Sequence, residues 1–217
     1  MSDISVDSRP QESPRSLISE LFDHRRLVIF LGIFLLELAV FALGLLTPLP
    51  RPTQQSLSND TSTLFSGVQS AGPAQLVVFI FSHNLVIALL EMIPLLGALV
   101  LMISIYSTGL AAQVIALTHG YPGQLGAALL LYPYSFLELS AYALAVGAGL
   151  MLILSWRKGE FARELRVFVL EMLFIGAVLI IAAAMETVTR FFPTIGLALW
   201  MPTVVALAVV TILRRGI

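Results

Sequence analysis

Residues 125–155 read LGAALLLYPYSFLELSAYALAVGAGLMLILS, an almost unbroken apolar run that contains a proline, Pro133, and a carboxylate, Glu138. As one helix this run of about 30 residues would measure roughly 45 Å, against a bilayer hydrocarbon core of about 30 Å. A break, a tilt or a re-entrant segment is therefore expected, and Pro133 is its natural place. Proline removes a backbone donor and disfavours helical geometry in the residue before it. A broken helix beside an intramembrane acid is a common way to build a site, so Pro133-Tyr134-Ser135-Phe136-Leu137-Glu138 becomes the centre of interest.

The rest of the chain supports a membrane setting. Of 217 residues 58% are hydrophobic and 12% charged, half the charge content of an ordinary soluble domain. Mean hydropathy is +0.95. The sequence has no cysteine, which excludes disulfides, thiolate metal sites and a cysteine nucleophile. The composition predicts an all-α polytopic membrane protein.

In chain order, residues 1–26 read as a polar cytoplasmic tail, with a short amphipathic segment from Leu17 to Arg26. Residues 27–217 read as a six-helix membrane domain with spans at 27–46, 75–92, 95–117, 125–155, 167–188 and 195–213. The fourth is the broken or extended one. Residues 48–74 form the one long hydrophilic connection, expected as an external loop. Asn59-Asp60-Thr61 within it matches the glycosylation sequon, a triplet frequent by chance. With both termini cytoplasmic, ten of the twelve basic residues fall inside and only Arg51 and Arg190 outside, as the positive-inside rule requires. A plasma-membrane location is expected.

Ionisable groups in spans are costly and need a partner or a role. Glu37 and Gly44 lie seven residues apart on one helical face, which favours close packing there. Asn84 and Glu91 share a face by the same spacing. Ser135, Glu138, Tyr142, Ala145 and Gly149 make one stripe of the fourth span. Bland readings stand beside these. Glu91 and Glu171 read as hydrated groups near the cytoplasmic interface, Glu186 as a partner of Arg190 one turn on, and small-residue stripes as packing faces. Glu138, flanked by Leu137 and Leu139, reads as a functional acid or as a neutral one bonded to Asn84 or His83.

At this point the residues acquire a likeness. Phe81-Ser82-His83-Asn84 resembles the "F-x-N-N" opening of the stage II sporulation protein M family, with His83 in place of the first Asn. Residues 132–138 resemble its "P-H-[GS]-x-x-E" signature, with Tyr134 in place of His. Ile181 to Glu186 resembles its "A-A-x-I-E" segment. The likeness covers about 75–190 and carries over Asn84, Pro133, Glu138 and Glu186. In spore formers the family's namesake works with the stage II sporulation proteins D and P in a membrane complex that remodels the cell wall. The resemblance thus implies a scaffold or assembly component with membrane-protein partners or a homo-oligomer.

The alternative is a small transporter or channel with Glu138 as its intramembrane acidic site. Together the sequence gives one candidate polar site: His83, Asn84, Pro133, Ser135, Glu138, Tyr142 and Glu186. No H-E-x-x-H, G-x-S-x-G or phosphate-loop motif occurs, so no enzyme activity, metal or cofactor is expected. The basic residues flank spans, so nucleic acid is not expected as a partner.

Overall fold

The computed structural model describes residues 23–59, 72–201 and 203–204. Asp23 opens the first helix by accepting the Arg25 backbone N–H at 3.3 Å, and α1 runs His24–Leu46. A short helix, α2, covers 51–59. The chain then forms α3 (Pro73–Glu91), α4 (Leu96–Thr118), a 3-10 segment (Gly123–Leu131), α5 (Pro133–Trp156), α6 (Phe161–Phe191) and α7 (Pro193–Gly196), followed by a 3-10 turn at Leu197–Leu199. Among the described residues there is no strand. Five helices, α1, α3, α4, α5 and α6, are long and apolar enough to cross a membrane. The expected sixth span enters the described residues only at its beginning, and most of it lies outside them, as do the tail to residue 22 and residues 60 and 61 of the sequon.

The break at Pro133 is met, and two further expectations gain detail. The connection 48–74 is not simply a loop, because it starts with α2. Prolines at 50 and 52 predispose its first turn, which closes with Gln54 N–H on the Pro50 carbonyl at 3.0 Å. The fourth apolar run is two elements, with Tyr132 extended between them and Pro133 as the first residue of α5. Glu138, central in the run, is therefore in the second turn of its helix. The fifth span is also longer than its apolar stretch, because α6 continues through the charged residues 163–166 for 31 residues.

Helix α5 is the axis of the bundle. Half of its span is buried, against 22–33% for the other four, and it packs on α1, α3, α4, α6 and the 3-10 segment. Its inward stripe is small: Ala141, Ala145, Ala148 and Gly149 are all buried. Small residues let backbones approach where lipid offers no hydrophobic drive between helices. The Glu37–Gly44 face does carry a close crossing. A Cβ on Gly44 would lie 2.3 Å from the Tyr106 carbonyl, and one on Gly109 2.3 Å from that of Phe41.

These contacts also fix helix depths. Gly149, seven residues before the end of α5, faces the Met92 carbonyl, 2.6 Å from where its Cβ would stand. The α3–α4 turn is therefore set about 10 Å inside the end of α5. The α1–α4 crossing gives the same offset, since Gly44 is 20 residues into α1 and Gly109 only 13 into α4. The turn, Met92 to Leu95, carries no charge; Leu95 is 84% exposed and adopts φ 68°, a conformation that disfavours a side chain. An apolar tip so far inside its neighbours belongs in hydrocarbon. Because the sequence has no cysteine, Leu95→Cys gives a clean probe. It is expected to resist membrane-impermeant maleimide from either side, while Lys158→Cys in the α5–α6 turn labels readily. Equal labelling would put the tip in water.

Candidate functional site

The two Glu residues with the "P-x-x-x-x-E" and "A-A" contexts meet at the α5 entrance. Asn84 is buried on α3 and donates its Nδ2 to Glu138 Oε1 at 2.8 Å. Glu138 is partly buried and feels the charges of Glu186 and Arg190. Arg190 donates Nε to Glu186 Oε1 at 3.0 Å, the one-turn pair expected from spacing. Tyr134, stacked on Tyr132 with centroids 5.5 Å apart, lies in the same electrostatic neighbourhood. Asn84 thus ties α3 to α5, with the Glu186–Arg190 pair of α6 in the electrostatic neighbourhood of their bond.

Pro133 and Ser135 shape this corner. Pro133 is buried at the start of α5, and Ser135 Oγ donates to the Leu129 carbonyl at 2.8 Å, tying the helix to the preceding 3-10 segment. Trp200 Nε1 closes the corner on the Leu131 carbonyl at 2.7 Å. His83 does not join the site. It is exposed on the outer face of α3, because neighbouring residues on a helix point about 100° apart and Asn84 takes the inward position. An imidazole at Glu138, which Tyr134 does not provide, is not provided by His83 either.

Tyr142, one turn deeper on α5, is buried and connects two regions. Its phenol senses Glu138 and Glu186 on one side and Glu91 and Glu37 on the other. Glu37 and Glu91 were not among the expected site residues. Glu91 is not a hydrated interface group: it is 0% exposed, because the inset turn brings the end of α3 into the bundle. Ser104 Oγ donates to its Oε1 at 3.1 Å. Glu37 is also 0% exposed and has Glu91 as its electrostatic neighbour.

Glu171 is likewise not a hydrated group. Arg26, 8% exposed, donates Nη1 to Glu171 Oε1 and Nη2 to Glu164 Oε1, clamping the start of α1 to α6. Among the described residues no group of three or more His, Asp or Glu is arranged for a metal.

The arrangement is a helical bundle with three groups of acids: Glu138 and Glu186 on α5 and α6, Glu37 and Glu91 on α1 and α3, and Glu164 and Glu171 on α6 held by Arg26 of α1. A family model described as Stage II sporulation protein M matches residues 25–189, three quarters of the chain. The chain belongs to the stage II sporulation protein M family. The match begins well before residue 75, so it takes in α1, with Arg26 and Glu37, as well as the Asn84–Glu138 site. No curated protein and no solved structure matches the chain.

Proposed function

We propose that this stage II sporulation protein M family member is a non-enzymatic protein of the plasma membrane, a scaffold or assembly component of a membrane complex. In this reading it has six spans with both termini cytoplasmic, needs no cofactor, and binds membrane proteins or further copies of itself rather than nucleic acid. The observation that carries it is the outer face of α3. Gln75, Ser82 and His83 point away from their own bundle, in a shallow groove otherwise lined by Ala74, Val78, Phe79, Val86 and Ile87. Polar side chains facing lipid are costly, and a partner helix relieves them through interhelical hydrogen bonds. The inward polar groups support the same reading, since Asn84–Glu138 and Arg26 with Glu164 and Glu171 fasten helix to helix.

The test places a photo-crosslinking residue at Ser82 or His83, and a control at Leu35, 64% exposed on α1. Discrete protein adducts are expected from 82 and 83 and not from 35, with reconstituted vesicles silent in proton and cation flux. Lipid adducts alone, together with flux that Glu138→Gln abolishes, would replace this reading with a small transporter or channel acting at Glu138.

A further inference from the structure

The deepest acids of the bundle have no chemistry in the scaffold reading, and their surroundings are unusual. Glu37 and Glu91 are both 0% exposed. Both oxygens of Glu37 and Oε2 of Glu91 have no hydrogen-bond partner among the described residues. Among the described residues, only the Ser104 hydroxyl serves the pair, on Glu91 Oε1.

Among the described residues, no cation acts on Glu37 or Glu91. Helix α4 contributes Ser104 and α5 the Tyr142 phenol, while the 3-10 segment has no ionisable side chain. On α6, Arg190 is engaged by Glu186, and Glu171 by Arg26. Arg26, at the far start of α1, is shared between Glu164 and Glu171.

An ionised carboxylate buried without donors is so unfavourable that such groups neutralise instead, and neighbouring carboxylates disfavour joint ionisation. A neutral acid also supplies the O–H donor that the unpartnered oxygens lack. A metal ion is the less suitable counter-charge. Hard cations take about six to eight oxygens, whereas this pair offers two carboxyl groups and a hydroxyl already acting as donor.

We propose that Glu37 and Glu91 form a proton-binding site in the middle of the bundle, a carboxyl pair that holds exchangeable protons taken up from outside the chain. The site is contributed by α1 and α3 and exists because the inset α3–α4 turn carries Glu91 to the depth of Glu37. Tyr142 is the neighbour through which it borders the Glu138 region. The inference does not rest on the scaffold reading.

Infrared spectroscopy of the full chain in lipid vesicles, in light and heavy water, tests it. At neutral pH the carbonyl band of a neutral carboxylic acid is expected, shifting in heavy water. Glu37→Gln and Glu91→Gln each remove part of it, and the double variant removes the whole component that survives in Glu138→Gln. A spectrum with carboxylate bands only overturns the proposal. So does an acid band that appears only when sodium or divalent cations are withdrawn, which would make the occupant a metal ion. Glutamine is close in shape to glutamate; should the variants still fail to fold, Glu37→Asp and Glu91→Asp, which keep the acids, are each expected to shift the band, and a band that neither moves overturns the proposal.

Discussion

Arg26→Ala is expected to destabilise the bundle by about 3–5 kcal/mol, the usual cost of removing one partner from a buried ion pair. The guanidinium is 8% exposed and forks between two carboxylates that are themselves nearly buried, at 12% and 8% side-chain exposure. Without it Glu164 and Glu171 are left as uncompensated charges on one face of α6. Lysine is a poor substitute, because a single ammonium lacks the planar fork that serves both acids. The cause can be isolated in detergent or lipid by thermal unfolding. Arg26→Ala should lower the melting temperature sharply, and adding Glu164→Gln and Glu171→Gln should restore much of it. If the triple variant melts no higher than Arg26→Ala, the loss comes from packing of the arginine stem and the charge argument fails.

The second large effect belongs to Gly97→Ala. An added Cβ would stand 1.7 Å from the Glu91 carbonyl oxygen, 2.6 Å from its carbon and 3.0 Å from its Cα. All three are backbone atoms, so no side chain can rotate out of the way and the turn itself has to open. Overpacking a tight contact costs about 1–3 kcal/mol and sometimes more; with backbone on both sides the upper end is expected. Opening the turn also draws Glu91 away from Ser104. Gly176→Ala is the matched control, a helical glycine with open space around its Cβ position. It should be neutral or stabilising by up to about 1 kcal/mol, from helix propensity. Similar folded yield and melting temperature for the two variants would mean that the α3–α4 turn is not as tight as the structure has it.

Much of this was legible in the residues because it depends on one helix at a time. Apolar runs located the spans, Pro133 located the break, and seven-residue spacing put Gly44 on a close-packing face and Asn84 on one face with Glu91. Glu186 and Arg190 were paired by one-turn spacing. What escaped depends on how helices slide past one another. Glu91 ends its apolar run and so looks like an interface residue, yet α3 stops short of its neighbours, and nothing within α3 marks that depth. Arg26 follows Arg25 and looks like a boundary anchor, while its partners lie 138 and 145 residues away. His83 and Asn84 are adjacent, and the sequence does not say which of them the bundle takes inside.

The unequal helices have a consequence for the lipid. At 1.5 Å per residue, α3 with 19 residues is about 28 Å long and α6 with 31 residues about 46 Å. These two helices pack against each other, one close to the thickness of the hydrocarbon core and the other far exceeding it. Lipids cannot match both: around α3 and the inset Leu95 tip the bilayer meets a shallow wall, while α6 must tilt or carry its charged turn out beyond the acyl chains. Such a step in length between neighbouring helices strains the lipid beside α3, and that strain falls when this short face is turned toward another protein or toward a thinner region of the bilayer.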